Sequence, residues 1–180
     1  MKTMTAFAAI LAAGMALAAS AATIGFAGGF GSIGYGNGQL GGSLSIDFVT
    51  GLDTPRNEGE STICDQYPAV CGLGFGTDAA YIGGGTYEGK GDAYLIISDD
   101  VTNTTLLRGI LVQPVTANVD NFSSSVGGAL KDVVISEDLA AYYGVPNRGT
   151  GDFSIAGGSH YWDPDFPEEG FFRGYIPRVV

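Results

Sequence analysis

The chain has little of what chemistry at a protein site usually needs. It holds one histidine, two cysteines and one tryptophan in 180 residues, and eight basic side chains stand against 19 acidic ones, a formal net charge of −11. With a pI near 4.1, it lacks the Lys and Arg that displace counterions from a polyanion. Nucleic acid and anionic lipid are therefore excluded as partners, and a charged partner is a cation. One His and two Cys cannot by themselves complete a zinc site, an iron–sulfur cluster, or a Cys–His dyad beside a structural bridge. Beyond the first 20 residues there is no apolar run long enough to cross a bilayer. Charge itself is sparse, at 15% against 45% hydrophobic residues, which excludes a disordered acidic tail. What is abundant is glycine, 30 residues of it, in a length that suits one domain.

The N-terminal segment reads as a secretory leader. Lys2 supplies the positive end, Ala6 to Ala18 an uncharged apolar run, and Ala19, Ser20 and Ala21 the small residues a signal peptidase requires. The expected organisation is a signal peptide over 1–21 and a single secreted β domain over 22–180, with no membrane span after processing. An exported product meets an oxidising compartment, extracellular or periplasmic. There Cys64 and Cys71, with six residues between them including Pro68, are expected to form a local disulfide. A redox-active pair is disfavoured, because the two-residue spacing and the helix N-terminus that lower a thiol pKa are both missing.

Along the remaining chain the periodicity is that of strands. From Thr23 to Gly42, glycine alternates with Phe26, Phe30, Ile33, Tyr35 and Leu40, and Gly36, Asn37 and Gly38 read as a tight turn. Over Leu40 to Val49, Leu44, Ile46 and Phe48 fall on one face and Ser43, Ser45 and Asp47 on the other. The polar, glycine-rich stretch 50–81 is expected to be an irregular excursion with short strands, bearing the disulfide. Residues 93–98 and 104–113 form a hairpin across Asp99 to Asn103, and Leu130 to Ser136 is a further strand. Ser136 caps a short helix, Glu137 to Tyr143, which Gly144 ends and Pro146 cannot extend. Residues 153–156 and 171–176 close the set. The predicted fold is all-β, an antiparallel β-sandwich of jelly-roll character with one short helix, with a small β-barrel as the alternative. An outer-membrane barrel is disfavoured, because segments such as Ala93 to Ile97 are apolar on both faces where such barrels alternate.

Three stretches, Leu106 to Val112, Val133 to Pro146 and Asp152 to Ile155, resemble the later strands of exported proteobacterial proteins of the PEP-CTERM-associated type. The resemblance covers about a third of the chain and implies an exported β fold. It brings no catalytic residues with it. The Pro-Glu-Pro motif, hydrophobic span and basic end of that family's sorting tail are not in this sequence.

Two glycine motifs imitate nucleotide sites. Gly36 to Gly41 fits the dinucleotide fingerprint, but that motif works only between a parallel strand and a helix, and here a strand follows. Gly84 to Gly91 approaches a phosphate loop, yet Gly91 stands where a magnesium-binding Ser or Thr belongs and Glu88 would repel phosphate, so it is read as a flexible loop. His160, the sole histidine, has no Gly-x-Ser-x-Gly elbow to serve. Ser159 to Gly170 gathers Tyr161 and Trp162, which could stack on sugar rings, and the carboxylates of Asp163, Asp165, Glu168 and Glu169, the hard oxygen ligands Ca²⁺ takes. Asp99, Asp100 and Asn103 form a weaker ion candidate, better read as a turn.

These observations lead to a noncatalytic secreted domain in a structural, extracellular-matrix or surface-adhesion role, with self-association or a surface polymer as its partner. The alternatives are a calcium- or carbohydrate-binding module built on the acidic aromatic loop, and a secreted carboxylate-dependent hydrolase. No catalytic residue is assigned, and Ca²⁺ is the one cofactor considered.

Overall fold

Period-two burial runs through nearly every strand of the computed structural model, which describes residues 22–27, 31–61, 64, 71–120, 123–160 and 172–176. β1 spans Thr23–Ala27, β2 Gly31–Gly36, β3 Gln39–Ile46, β4 Phe48–Leu52, β5 Gly59–Ser61 and β6 Cys71–Gly83. β7 spans Thr86–Asp99, β8 Thr104–Leu111, β9 Thr116–Val119 and β10 Ser123–Ile135. The helix α1 (Glu137–Tyr143) then precedes β11 (Arg148–His160) and β12 (Phe172–Ile176).

Tight turns set the order of pairing. Asn37 and Gly38, both at positive φ (52° and 75°), join β2 to β3 as a two-residue hairpin, and Gly84 and Gly85 (59° and 76°) join β6 to β7. β8 and β9 lie end to end along β7, which pairs with β8 through Tyr94–Asp99 and with β9 through Thr86–Glu88. β10 takes β8 and β9 on one edge and β11 on the other. β12 then bridges β11 to β2. Every pairing is antiparallel, and the circuit β2, β3, β6, β7, β8 with β9, β10, β11, β12 returns to its start. The all-β antiparallel class with one short helix is thus observed. Its strands follow one another in sequence around a closed sheet, which is the small-barrel arrangement, and its opposite walls meet across the core as two sandwich layers would.

The inward positions fill that core. Phe75 on β6 meets Phe153 on the facing wall with ring centroids 5.7 Å apart, and Tyr87 contacts Tyr35 at 4.5 Å and Tyr81 at 5.1 Å. Leu40, Leu73, Leu95, Leu111, Val126 and Ile155 are buried inside, while Ser43, Asp78, Lys90, Arg108, Lys131 and Asp152 are exposed outside. A lipid-embedded barrel needs the opposite polarity. Among the described residues no helix is long and apolar enough to cross a membrane.

A second, three-stranded sheet of β1, β4 and β5 packs with α1. The helix forms where the sequence predicts it. The Ser136 hydroxyl accepts from the Leu139 amide at 3.3 Å, Glu137 and Asp138 occupy the positive N-terminal turn, and Gly144 closes the helix at φ 70°. Its buried residues Leu139, Ala140 and Tyr143 lie on one stripe. A Cβ at Gly51 would fall 2.5 Å from the Tyr143 ring, so the close approach of strand and helix there requires glycine.

Three sequence expectations change. Of the excursion expected over 50–81, residues 71–81 belong to a 13-residue wall strand. Its glycines, Gly72, Gly74 and Gly76, alternate with Leu73, Phe75 and Thr77, so glycine content disguises a regular period-two strand. The loop expected over Gly84 to Gly91 is a turn only at Gly84 and Gly85; from Thr86 it is β7, with Tyr87 fully buried. Finally, the alternation of Leu44 and Ile46 stops at Asp47. Asp47 is buried and Phe48 only half-buried, because the chain leaves the barrel there and the Asp47 amide donates to the Ala27 carbonyl at 3.1 Å.

Candidate functional site

Cys64 and Cys71 are joined as a disulfide, with Cα atoms 5.3 Å apart and both side chains buried. Asp163, Asp165, Glu168, Glu169, Tyr161 and Trp162 lie outside the described residues, and of His160 only the backbone is described, paired with Arg173. Asp99 ends β7 and Asp100 opens the turn into β8, so the pair belongs to the expected hairpin turn. The Asp99 Oδ1 accepts from the amides of Val101 (2.8 Å) and Thr102 (3.2 Å), and these bonds hold its carboxyl below the ordinary carboxylate value. The Gly36 to Gly41 motif is a hairpin turn running into β3, with no helix behind it. Among the described residues, no three or more His, Cys, Asp or Glu side chains gather as a metal site.

The feature that sequence reasoning missed is on the outside of the barrel. Alternation points one residue in two outward, and over 32–36 of β2, 41–45 of β3 and 72–76 of β6 those residues are Gly or Ser. One hydrogen-bonded row carries Gly34, Gly41 and Gly76, then continues into Tyr94 of β7 and Ile110 of β8. The next row carries Ser32, Ser43 and Gly74, then Ile96 and Arg108. The outer surface therefore steps, between β6 and β7, from a bare floor to a ridge of large side chains. Nothing lies within 4 Å of where a Cβ would stand at Gly74 or Gly76.

Over β2, β3 and the Gly76 end of β6 the floor forms an open groove of about 830 Å³, bounded at one end by Asn37, Gln39, Asp78 and Asp92. Asp92 sits where β7 carries extra residues, with Gly91 at φ 73°, between the pairs Gly76–Tyr94 and Asp78–Lys90. On the ridge the Arg108 guanidinium lies 4.3 Å over the Tyr94 ring, a cation–π contact that holds a charged group above an apolar strip. Tyr94 and Ile96 are 42% and 39% exposed, large values for side chains of this kind in the middle of a strand. The signal for the groove was in the sequence, in the alternation of Gly with large apolar residues over 31–36 and 71–76. Such alternation means a strand with one buried face and one bare face.

A bare floor lets a flat group or another backbone come close, and a ridge supplies the apolar contact. That is binding chemistry. Compared with known proteins, the chain matches no family model, no curated protein and no solved structure.

Proposed function

We propose that this chain is an exported, noncatalytic β domain that works by contact through its outer surface, in a structural, extracellular-matrix or surface-adhesion role. The observation that carries this reading is the filled interior. Side chains from facing walls touch across the barrel, as Phe75 and Phe153 do, so the wall's inner face is spent on packing and its outer face is the one offered to a partner. A small barrel that holds a ligand keeps its interior open instead. The leader-like residues 1–21, the disulfide, the polar exterior and the resemblance to exported proteins all support release into an oxidising compartment.

The test expresses the full chain with its own leader in a Gram-negative host, fractionates the cells, and sequences the N-terminus of the recovered protein. The expected result is a product beginning at Ala22, outside the cytoplasm, that adheres to cell-surface or matrix polymer in a pull-down and does not hydrolyse a panel of chromogenic glycosides and esters. Retention in the cytoplasm with the leader intact would overturn export. Turnover of any panel substrate, abolished by a single carboxylate substitution, would replace the contact role with a hydrolase.

A further inference from the structure

The step between β6 and β7 has a symmetry that identifies a partner. Along the line between these strands, three successive outward positions on one side have a complement at the same level on the other. Gly76 stands opposite Tyr94, and Gly74 opposite Ile96. At the polar end the complement is one of charge, since Asp78 stands opposite Lys90. Both are exposed, and among the described residues neither forms an ion pair within the chain.

A surface with large residues on one side of a line and matching vacancies on the other is complementary to itself. A two-fold axis laid along that line turns a second copy face down on the first and exchanges the two sides. Tyr94 of each copy then lies over Gly76 of the other, and Ile96 over Gly74. The same operation sets Lys90 of each copy against Asp78 of the other, forming two equivalent ion pairs. We propose that the outer face of β3, β6, β7 and β8 is a homodimer interface in which the Tyr94–Ile96 ridge of each copy seats in the glycine floor of its partner.

Charge argues for this occupant over an unrelated one. A chain with a net charge of −11 repels its own copies unless attraction is built in locally, and Lys90 is one of only eight basic side chains. Its placement opposite Asp78 supplies attraction and fixes the register at once, as charge pairs across an interface do. The glycines serve the same arrangement. Any side chain at 74 or 76 would fill the space the partner's ridge requires, though neither position is constrained by its own fold. This inference goes beyond the contact role proposed above and does not depend on it.

The test uses the full chain purified in whichever form the cell yields, so that a failure of export does not touch it. Sedimentation velocity across a concentration series is expected to show a monomer–dimer equilibrium. Gly76→Arg, whose Cβ would have no atom of its own chain within 4 Å, is expected to weaken the dimer roughly tenfold or more while leaving the circular dichroism and thermal transition of the monomer in place. Ile96→Asp acts from the ridge side as an independent check. Asp78→Lys and Lys90→Asp singly are expected to weaken association, and the double reversal to restore it, because the reversed pair meets itself across the axis. A wild-type chain that stays monomeric throughout the series overturns the proposal. So does a dimer that survives both Gly76→Arg and Ile96→Asp, or one that the double charge reversal fails to restore.

Discussion

The Tyr143 hydroxyl donates a hydrogen bond of 3.1 Å to the carbonyl of Val49, 94 residues earlier in the chain. It ties the helix to the three-stranded sheet at a point where Tyr143 is fully buried and the Val49 side chain is as well. The same region is stitched further by the Arg56 amide, which donates to the Tyr143 carbonyl at 3.1 Å, and by the Asn57 side-chain amide, which donates to the Tyr142 carbonyl at 2.7 Å.

Removing that hydroxyl tests how much one such bond contributes. Tyr143→Phe keeps the ring against Gly51 and loses only the donor, so it should cost about 1 kcal/mol and lower the thermal midpoint by about 2–4 °C. Tyr142→Phe, at an exposed neighbour, should leave the midpoint unchanged. Tyr143→Ala adds a cavity and should cost about 3–5 kcal/mol. Calorimetry on the three variants separates bond from packing; a Phe variant as damaged as the Ala variant contradicts this account.

The two faces of β3 give a sharper contrast. Ile46 is 4% exposed and Ser45 points the other way, only partly buried. Ile46→Asp should abolish the cooperative transition, since an unpaired carboxylate in that core costs several kcal/mol against a total stability of about 5–15. Ser45→Asp should lose at most about 1 kcal/mol. Denaturant unfolding of both checks the register, and equal damage would mean the face is assigned wrongly.

How much of this was legible in the sequence depended on what glycine was doing. Where glycine punctuates, as at Asn37-Gly38 and Gly144, turn and helix end were read correctly, because glycine adopts positive φ without cost and asparagine more readily than most residues. Where glycine alternates inside a strand, as at Gly72, Gly74 and Gly76, the same residue meant a bare outer face, and the high glycine content masked the period-two signal that Leu73 and Phe75 still carry. Closure of the sheet was harder still. The pairing of β12 with β2 joins residues 172–176 to 31–35, a contact no local pattern encodes. The groove needed that order of strands before its floor could be recognised as one surface.

The disulfide closes a short ring. Cys64→Ser with Cys71→Ser should cost about 2.5 kcal/mol by the chain-entropy estimate, without abolishing the fold, because every wall strand other than β6 lies wholly outside the ring. A thiol titration of the oxidised wild type under denaturing conditions should find no free thiol; finding two would remove the bridge.

Ser124 is 2% exposed and, among the described residues, its hydroxyl has no hydrogen-bond partner. A buried group in that state carries its desolvation cost uncompensated, so Ser124→Ala should be neutral or stabilising by up to about 1 kcal/mol. Destabilisation by a similar amount in urea unfolding would show that the hydroxyl is satisfied in solution.

Acid should reach the β7–β8 turn through Asp99. Its carboxylate is favoured in the folded chain first by the Thr102 amide and then by that of Val101, which lowers its pKa from the ordinary value of 3.8. A carboxyl depressed on folding contributes stability that is fully present above its unfolded pKa and is lost as pH falls through the folded one. The contribution is therefore intact at neutral pH and disappears only below about pH 4, where the charged acceptor of the turn is neutralised. Asp99→Asn keeps a side-chain oxygen to accept from both amides but cannot titrate. Stability measured from pH 7 to pH 2 should accordingly fall less steeply at the acid end in this variant than in the wild type, with the two curves running parallel above pH 5. An acid limb identical in both would show that the turn's hydrogen bonds do not favour the ionised form.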